Sequence, residues 1–268
     1  MNILHSAYPN YVAFSLFGLD IRWYGIILAL AILIGFILIL KIAKEKQVDT
    51  NHFYNLFFLF VFFGLVGGRL GHVIAEWSYY CTNLLQIPRI WEGGLAIHGV
   101  IIGSIITLFL YSRYKKISFW LISDIIIVIL PLMQAIGRWG NYFNQEIFGT
   151  PSNSAWSIPI AQINRPAGFE SYEFFHPLFL YESGLMLLVF LIMVLLFRSK
   201  KLKTGQLTLV YFILFSVVRF CLEFLRIEAP VVWWLNLGQW VSLLFFVMPL
   251  IILLRKSGQI RKGKVPVQ

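Results

Sequence analysis

The segment from Gly137 to Gly149 reads GRWGNYFNQEIFG and sets one arginine, two asparagines, a glutamine, a glutamate and three glycines at the end of an apolar run. A guanidinium is a planar fork of N–H donors that matches phosphate oxygens and keeps its charge when partly desolvated. Arg138 is therefore suited to an anionic headgroup. Asn141 and Asn144 are suited to orienting hydroxyl or backbone groups, and Glu146 to pairing with Arg138 or with a ligand hydroxyl. A second cluster, Arg219, Glu223 and Arg226, follows offsets of four and seven and so falls on one helical face. Arg69, His72 and Glu76 repeat the pattern at offsets of three and four. Tyr24, His98 and Glu182 each stand near the start of an apolar run.

Such groups inside membrane helices need a reason, because Arg or Asp at a helix centre costs about 2.5–3.5 kcal/mol on insertion scales. Interfacial anchoring is one reason and an ion pair that locks helices is another. For Arg69 helix packing is a third, since Gly64, Gly67, Gly68 and Gly71 around it form two GxxxG pairs. Asp124 belongs to neither stripe and is read as structural, as are Cys81 and Cys221, which have no metal-like or CxxC spacing. Trp91, Trp233 and Trp234 read as interfacial belt residues.

The elements that must carry these residues are membrane helices. Of 268 residues, 59% are hydrophobic and 13% charged, against roughly 25% charged in soluble domains. Hydropathy predicts an all-α integral membrane protein with seven spans, near Trp23 to Leu40, His52 to Ala75, Ile97 to Tyr111, Phe119 to Ala135, Pro177 to Phe197, Gln206 to Leu225 and Gly238 to Leu254. The net charge of +10 resides in short loops, which argues for membrane topology rather than nucleic-acid binding. One side carries Lys41, Lys44, Lys46, Arg113, Lys115, Lys116, Arg198, Lys200, Lys201, Lys203 and the tail residues Arg255, Lys256, Arg261, Lys262 and Lys264. The other has only Arg22, Arg89, Arg138, Arg165 and Arg226. The positive-inside rule then puts the N-terminus outside and the C-terminus in the cytoplasm.

On that topology Arg69, Arg219, His98, Glu182, Arg138 and Tyr24 share the outer layer of the bilayer. The chain is expected to form a single membrane domain, residues 1–268, with an irregular outward segment, 139–176, between helices 4 and 5. Met1 to Asp20 lack a basic region followed by an apolar core, so the first span is expected to act as an uncleaved insertion signal. No internal repeat of the kind that builds many transporters is visible.

The long motif resembles the signature of bacterial prolipoprotein diacylglyceryl transferases, of the form G-R-x-G-N-[FY]-x-N-x-E-x-x-G. IRWYG from Ile21, GGRLG from Gly67, WEGGLAIHG from Trp91, HPLFLYE from His176 and RFCLEFLR from Arg219 resemble further segments of that family in the same order. The resemblance implies transfer of the diacylglyceryl group of phosphatidylglycerol to the lipobox cysteine thiol of a preprolipoprotein. The products would be a thioether and glycerol phosphate, and the reaction would be the first step of lipoprotein maturation in the bacterial cytoplasmic (inner) membrane. Its partners would be phosphatidylglycerol, the preprolipoprotein signal peptide and the bilayer, with no nucleic acid.

The residues fit that chemistry. Attack at a glycerol carbon expels a phosphate ester, so negative charge grows on phosphate oxygens, a task for Arg138 and Arg219. No metal-ligand spacing stands out, and neither metal nor cofactor is expected. The substrate thiol, with pKa about 8.5, needs a base or a positive field. His98 matches the family's essential histidine, and an imidazole is the side chain most often used as a general base; two other readings stand, a hydrogen-bonding role for His98 and ionisation of the thiol by the arginines alone. Tyr24, Arg69, Asn141, Asn144, Glu146, Gly149, Glu182, Glu223 and Arg226 complete the expected substrate site. Glu182 and Glu223 would orient arginines, and Gly149 would allow a tight turn or close backbone approach. The rival readings are a transporter or channel for an anionic solute, another headgroup transferase, and a lipid-binding scaffold. A transporter predicts a polar path to both faces, whereas the cytoplasmic halves of these spans are aliphatic and aromatic.

Overall fold

The computed structural model describes residues 8–227 and 231–261, with side chains at 8–227 and 233–255; the tail lysines Lys262 and Lys264 lie outside the described residues. Its main helices are α1 (Trp23–Glu45), α2 (Asn51–Ala75), a single turn α3 (Trp77–Tyr80), α4 (Ile97–Lys115), α5 (Phe119–Asn144), α6 (Leu178–Ser199), α7 (Gln206–Leu222) and α8 (Leu237–Arg261). Seven of these, all but α3, are long and apolar enough to cross a membrane. A helix of 23 residues such as α1 extends about 34 Å at 1.5 Å per residue. Leu33, Ile37, Phe58, Phe62, Leu191 and Leu195 are exposed on these helices, as suits side chains whose solvent is lipid.

Local chemistry ends the helices. Lys44, Arg113, Lys115 and Arg198 lie in the last turns of α1, α4 and α6, where cations complement the negative end of the helix dipole. Lys116 and Lys200 close α4 and α6 in the left-handed conformation. Hydropathy alone stopped the fourth span near Ala135, but α5 runs on to Asn144. Gly137, Gly140, Asn141 and Asn144 are poor helix formers, so tertiary partners sustain the last turns: Arg138 pairs with Glu182 and Asn141 with Glu146. Short antiparallel hairpins, absent from the sequence reading, also occur: β1 (Val12–Leu16) with β2 (Leu19–Arg22), β3 (Ile158–Pro159) with β4 (Phe174–Phe175), and β5 (Val231–Val232) with β6 (Leu235–Asn236). Runs of two to five residues are too short to show a strand period.

The chain groups into two compact units, Met1–Leu38 with Ile126–Gln268, and Ile39–Ile125. In the first, α6 packs on α7 and α7 on α8. Ser183 donates to the Ala135 carbonyl at 2.8 Å, and the Tyr211 hydroxyl donates to Gln134 at 3.0 Å, so polar side chains tie α6 and α7 to α5. The segment between α5 and α6 has its own small core of Ile158, Ile160, Phe175 and Phe179, covered by Tyr142, Phe148 and Phe169.

The second unit is built on the α2–α4 pair. A Cβ added at Gly67 would come within 2.5 Å of the Gly99 carbonyl, and one at Gly71 within 3.1 Å of Gly99 Cα. Gly64 and Gly68 instead receive the Val100 side chain. Both GxxxG pairs are thus used, one against backbone and one to seat a branched side chain, as small residues allow in membranes.

Candidate active site

In the first unit, five charged residues from three helices form one alternating chain. Arg138, less than two turns from the end of α5, places Nη2 2.6 Å from Glu182 Oε1, close enough for an ion pair although not aligned as a hydrogen bond. Arg219, near the end of α7, donates from Nη1 to the other oxygen of Glu182 at 3.2 Å and from Nη2 to Glu223 at 3.1 Å. Arg226 donates to Glu223 at 3.4 Å. The offsets of four and three along α7 and the 3-10 turn Glu223–Leu225 make the Arg219–Glu223–Arg226 contacts local. Only folding brings Glu182 from α6 between Arg138 and Arg219.

Burial within this chain is uneven. The side chains of Glu182 and Glu223 are 3% and 5% exposed, whereas Arg138 and Arg219 keep 24% and 23% and Arg226 43%. The carboxylates lie beneath and the guanidinium groups face outward. Three cations against two anions leave one net positive charge, and each guanidinium, with five N–H donors, retains free ones. A carboxylate stripped of water is strongly unfavourable alone, so each is held by two arginines, and the arginines are fixed in turn.

The rest of the signature forms a second polar group. Asn141 Nδ2 donates to Glu146 Oε1 at 2.9 Å and Asn144 Nδ2 reaches it at 3.5 Å. Glu146 thus pairs with the two asparagines and Arg138 pairs with Glu182, because the chain turns sharply after α5. Gln145 and Ile147, on either side of Glu146, both have left-handed φ, +51° and +54°. For a β-branched residue this is a strained conformation.

Gly149 has an ordinary φ and acts through close approach. It bridges Arg226 in antiparallel fashion, and its amide donates to the His176 carbonyl at 2.9 Å. A Cβ there would lie 2.8 Å from the Leu225 carbonyl and 2.9 Å from His176 Cβ. The backbone of the signature is thereby sewn to the end of α7. Tyr24 lies against Gly140, where an added Cβ would collide with its ring. Tyr24 and Asn144 line a cleft of about 620 Å³ with Asp20, Arg22, Gly25 and Ala29. A second groove of about 460 Å³, lined by Trp23, Ile27, Leu132, Trp139, Phe143 and Leu187, is apolar.

Sequence reasoning missed a support beneath Glu223. A Cβ at Gly238 would meet the Glu223 carboxylate at 2.7 Å, so this glycine lets α8 close on the ion chain. Asn236 and Gln239 exchange hydrogen bonds at 2.8 and 3.0 Å, each capping the other's backbone at the start of α8. The only signal in the sequence was the cluster Asn236, Gly238 and Gln239 before the last span.

Two expected site residues belong to the second unit. His98 is exposed in the first turn of α4 and makes no side-chain hydrogen bond among the described residues. Arg69 is 6% exposed, and its guanidinium donates to the carbonyls of Gln86, Ile87, Gly93 and Gly94 at 2.6–3.2 Å. Among the remaining residues, Trp91, Trp233 and Trp234 are highly exposed, and Cys81 and Cys221 are exposed free thiols. His176 Nδ1 lies 3.2 Å from the Tyr181 hydroxyl, a contact across the start of α6.

Comparison with known proteins adds an independent line. The sequence profile described as prolipoprotein diacylglyceryl transferase matches residues 11–255. A phosphatidylglycerol–prolipoprotein diacylglyceryl transferase of Synechocystis sp. is 40% identical over 240 residues, 88% of this chain and 85% of that protein. Proteins of the same name are 38% identical in Thermotoga maritima, covering 93% of this chain and 86% of theirs, and in Finegoldia magna, covering 94% and 98%. With seven helices able to span a membrane among the described residues, and with Arg138 of the signature in an alternating chain of arginine and glutamate, the chain belongs to the prolipoprotein diacylglyceryl transferase family.

Proposed function

We propose that this protein transfers the diacylglyceryl group of phosphatidylglycerol to the lipobox cysteine thiol of a preprolipoprotein, releasing glycerol phosphate, at the outer face of the bacterial cytoplasmic membrane. The observation that carries the reading is the ion chain: two buried carboxylates hold Arg138, Arg219 and Arg226 with one net positive charge and N–H donors to spare. A phosphodiester carries one negative charge. As the thiolate attacks the glycerol carbon, the C–S bond forms and the C–O bond to phosphorus breaks. The electron pair leaves with the phosphate, whose charge grows by one. Donors already fixed where that charge develops stabilise it without reorganisation, and Glu182 and Glu223 supply the fixing.

The thiol proton needs a base, and family membership makes His98 the residue for it; it stands exposed in the first turn of α4 and makes no side-chain hydrogen bond among the described residues. Asn141, Asn144 and Glu146, joined through one carboxylate oxygen, offer an acceptor and amide groups for headgroup hydroxyls, and Tyr24 lines the adjoining cleft. The groove of about 460 Å³ along α1, α5 and α6 is lined almost wholly by apolar side chains, which suits an acyl chain. The positive-inside distribution orients the ion chain outward, where a secreted precursor emerges.

The test is transfer itself. Purified protein in phosphatidylglycerol micelles with a lipobox peptide should give a peptide heavier by one diacylglyceryl group on cysteine, with glycerol phosphate released in equal amount. A peptide left unmodified while solute crosses reconstituted vesicles would favour an anion transporter, and lipid hydrolysis alone a different headgroup enzyme.

A further inference from the structure

Arg69 was expected to bind lipid. Its guanidinium faces backbone carbonyls. All three guanidinium nitrogens are engaged with backbone carbonyls: Nε donates to Ile87 at 2.7 Å, Nη2 to Gln86 at 2.6 Å, and Nη1 to Gly93 at 2.7 Å and Gly94 at 3.2 Å. The cation also lies 5.3 Å from the centre of the Tyr80 ring. At most one N–H remains, and the residue is buried.

The loop, for its part, is built around this cation. Gly93 and Gly94 take φ of +92° and +74°, which aims their carbonyls at the guanidinium and which only glycine adopts freely. A Cβ at Gly94 would lie 2.6 Å from the His72 ring and 2.7 Å from Arg69 Nη1. The Gln86 carbonyl also accepts from the Arg89 amide at 3.1 Å, but the Ile87, Gly93 and Gly94 carbonyls, converging in a partly dehydrated place, depend on a cation of matching shape. Two residues on, the Ala96 amide donates to the Gly68 carbonyl at 2.9 Å, and α4 begins with His98 in its first turn and Gly99 pressed on Gly67.

We propose that Arg69 is a positioning residue, which clamps the Gln86–Ala96 loop onto α2 and thereby fixes the start of α4 and the placement of His98, and that it does not bind the phosphate of the donor lipid. The proposal rests on the transfer reaction above for its kinetic readout. A phosphate ligand would act through charge, which lysine preserves. A clamp acts through the fork, which lysine lacks, since three N–H groups from one point cannot cover four spread carbonyls.

The experiment compares wild type, Arg69→Lys, Arg69→Ala and Gly94→Ala as purified full-length proteins, with kcat and KM for phosphatidylglycerol measured separately and amide exchange followed over residues 84–98. The expectation is a fall in kcat of about tenfold to a hundredfold for both Arg69 variants, the range in which small misplacements of a reacting group act. KM should stay within about twofold, Arg69→Lys should be no better than Arg69→Ala, and exchange over 84–98 should quicken in both. Methylguanidinium should restore part of the Arg69→Ala rate. Gly94→Ala, which keeps the cation and displaces the carbonyl, should show the same loss confined to kcat, and it decides the question if the Arg69 variants do not fold. Near-normal activity in Arg69→Lys with a KM raised tenfold or more in Arg69→Ala would overturn the proposal, as would unchanged kcat and exchange in Gly94→Ala. If wild type transfers nothing, the transfer reading fails, while the exchange data still decide whether the clamp exists.

Discussion

Two arginine environments in this protein use the same side chain to opposite ends. Arg138 and Arg219 have carboxylates for partners, stay roughly a quarter exposed and keep donors free. Arg69 has carbonyls for partners, is enclosed, and has nearly no donor left. The difference teaches that a cation in a membrane helix is legible as functional only through its acceptors. Paired with anions it is oriented and keeps N–H groups free; wrapped by loop backbone it has almost none to offer.

The sharpest way to break the comparison is to remove the outward arginines. Arg138→Ala and Arg219→Ala are each expected to lower transfer at least about a hundredfold, the scale of losing a donor to developing charge, while the protein still inserts and purifies. Full activity in either variant, measured by peptide lipidation, would erase the distinction drawn here. Glu182→Gln should be milder, lowering kcat about tenfold: the amide keeps its size but no longer balances two guanidinium groups, so they are oriented less firmly. A rate equal to wild type would mean that the arginines need no anchor.

Two glycines then sharpen the contrast between the units. Gly99→Ala forces a methyl group into the Gly67 carbonyl and Gly149→Ala forces one against Leu225 and His176. Overpacking of this kind costs about 1–3 kcal/mol, and thermal unfolding in detergent should register both. Gly149→Ala should also impair transfer, since it separates the signature from the end of α7. The smallest effect belongs to Tyr8, whose hydroxyl donates to Glu173 at 2.6 Å. That hydrogen bond to a carboxylate holds the phenol above its ordinary value of 10.0. The contact therefore stabilises below pH 10 and is lost as pH rises through the raised value. Tyr8→Phe should shift stability at neutral pH by no more than about 0.5 kcal/mol and should remove that alkaline loss.

Much of the architecture was legible in the chain. Seven spans, their limits within about five residues except at the ends of α5 and α8, and a close helix contact at the GxxxG pairs of α2 followed from hydropathy and small-residue spacing, although not that α4 is the partner. So did the local stripe of Arg219, Glu223 and Arg226, because helical neighbours are fixed by offset alone. The hairpins were not legible, being shorter than any period that would announce them, nor was the continuation of α5 past Ala135, where hydropathy and helix propensity both fall and tertiary pairing sustains the helix.

The sequence by itself determined that charges would stand in apolar helices, which family's motifs they carry, and which residues are near one another along a helix. Only the tertiary structure decided which charge meets which: that Glu182 joins Arg138 to Arg219, that Glu146 turns to Asn141, and that Arg69 is closed around by a loop. The reason is physical. Helical periodicity is a local rule written in offsets, whereas the partner of a buried charge is chosen by packing among segments far apart in the chain, where desolvation makes each unpaired group too unfavourable to leave alone.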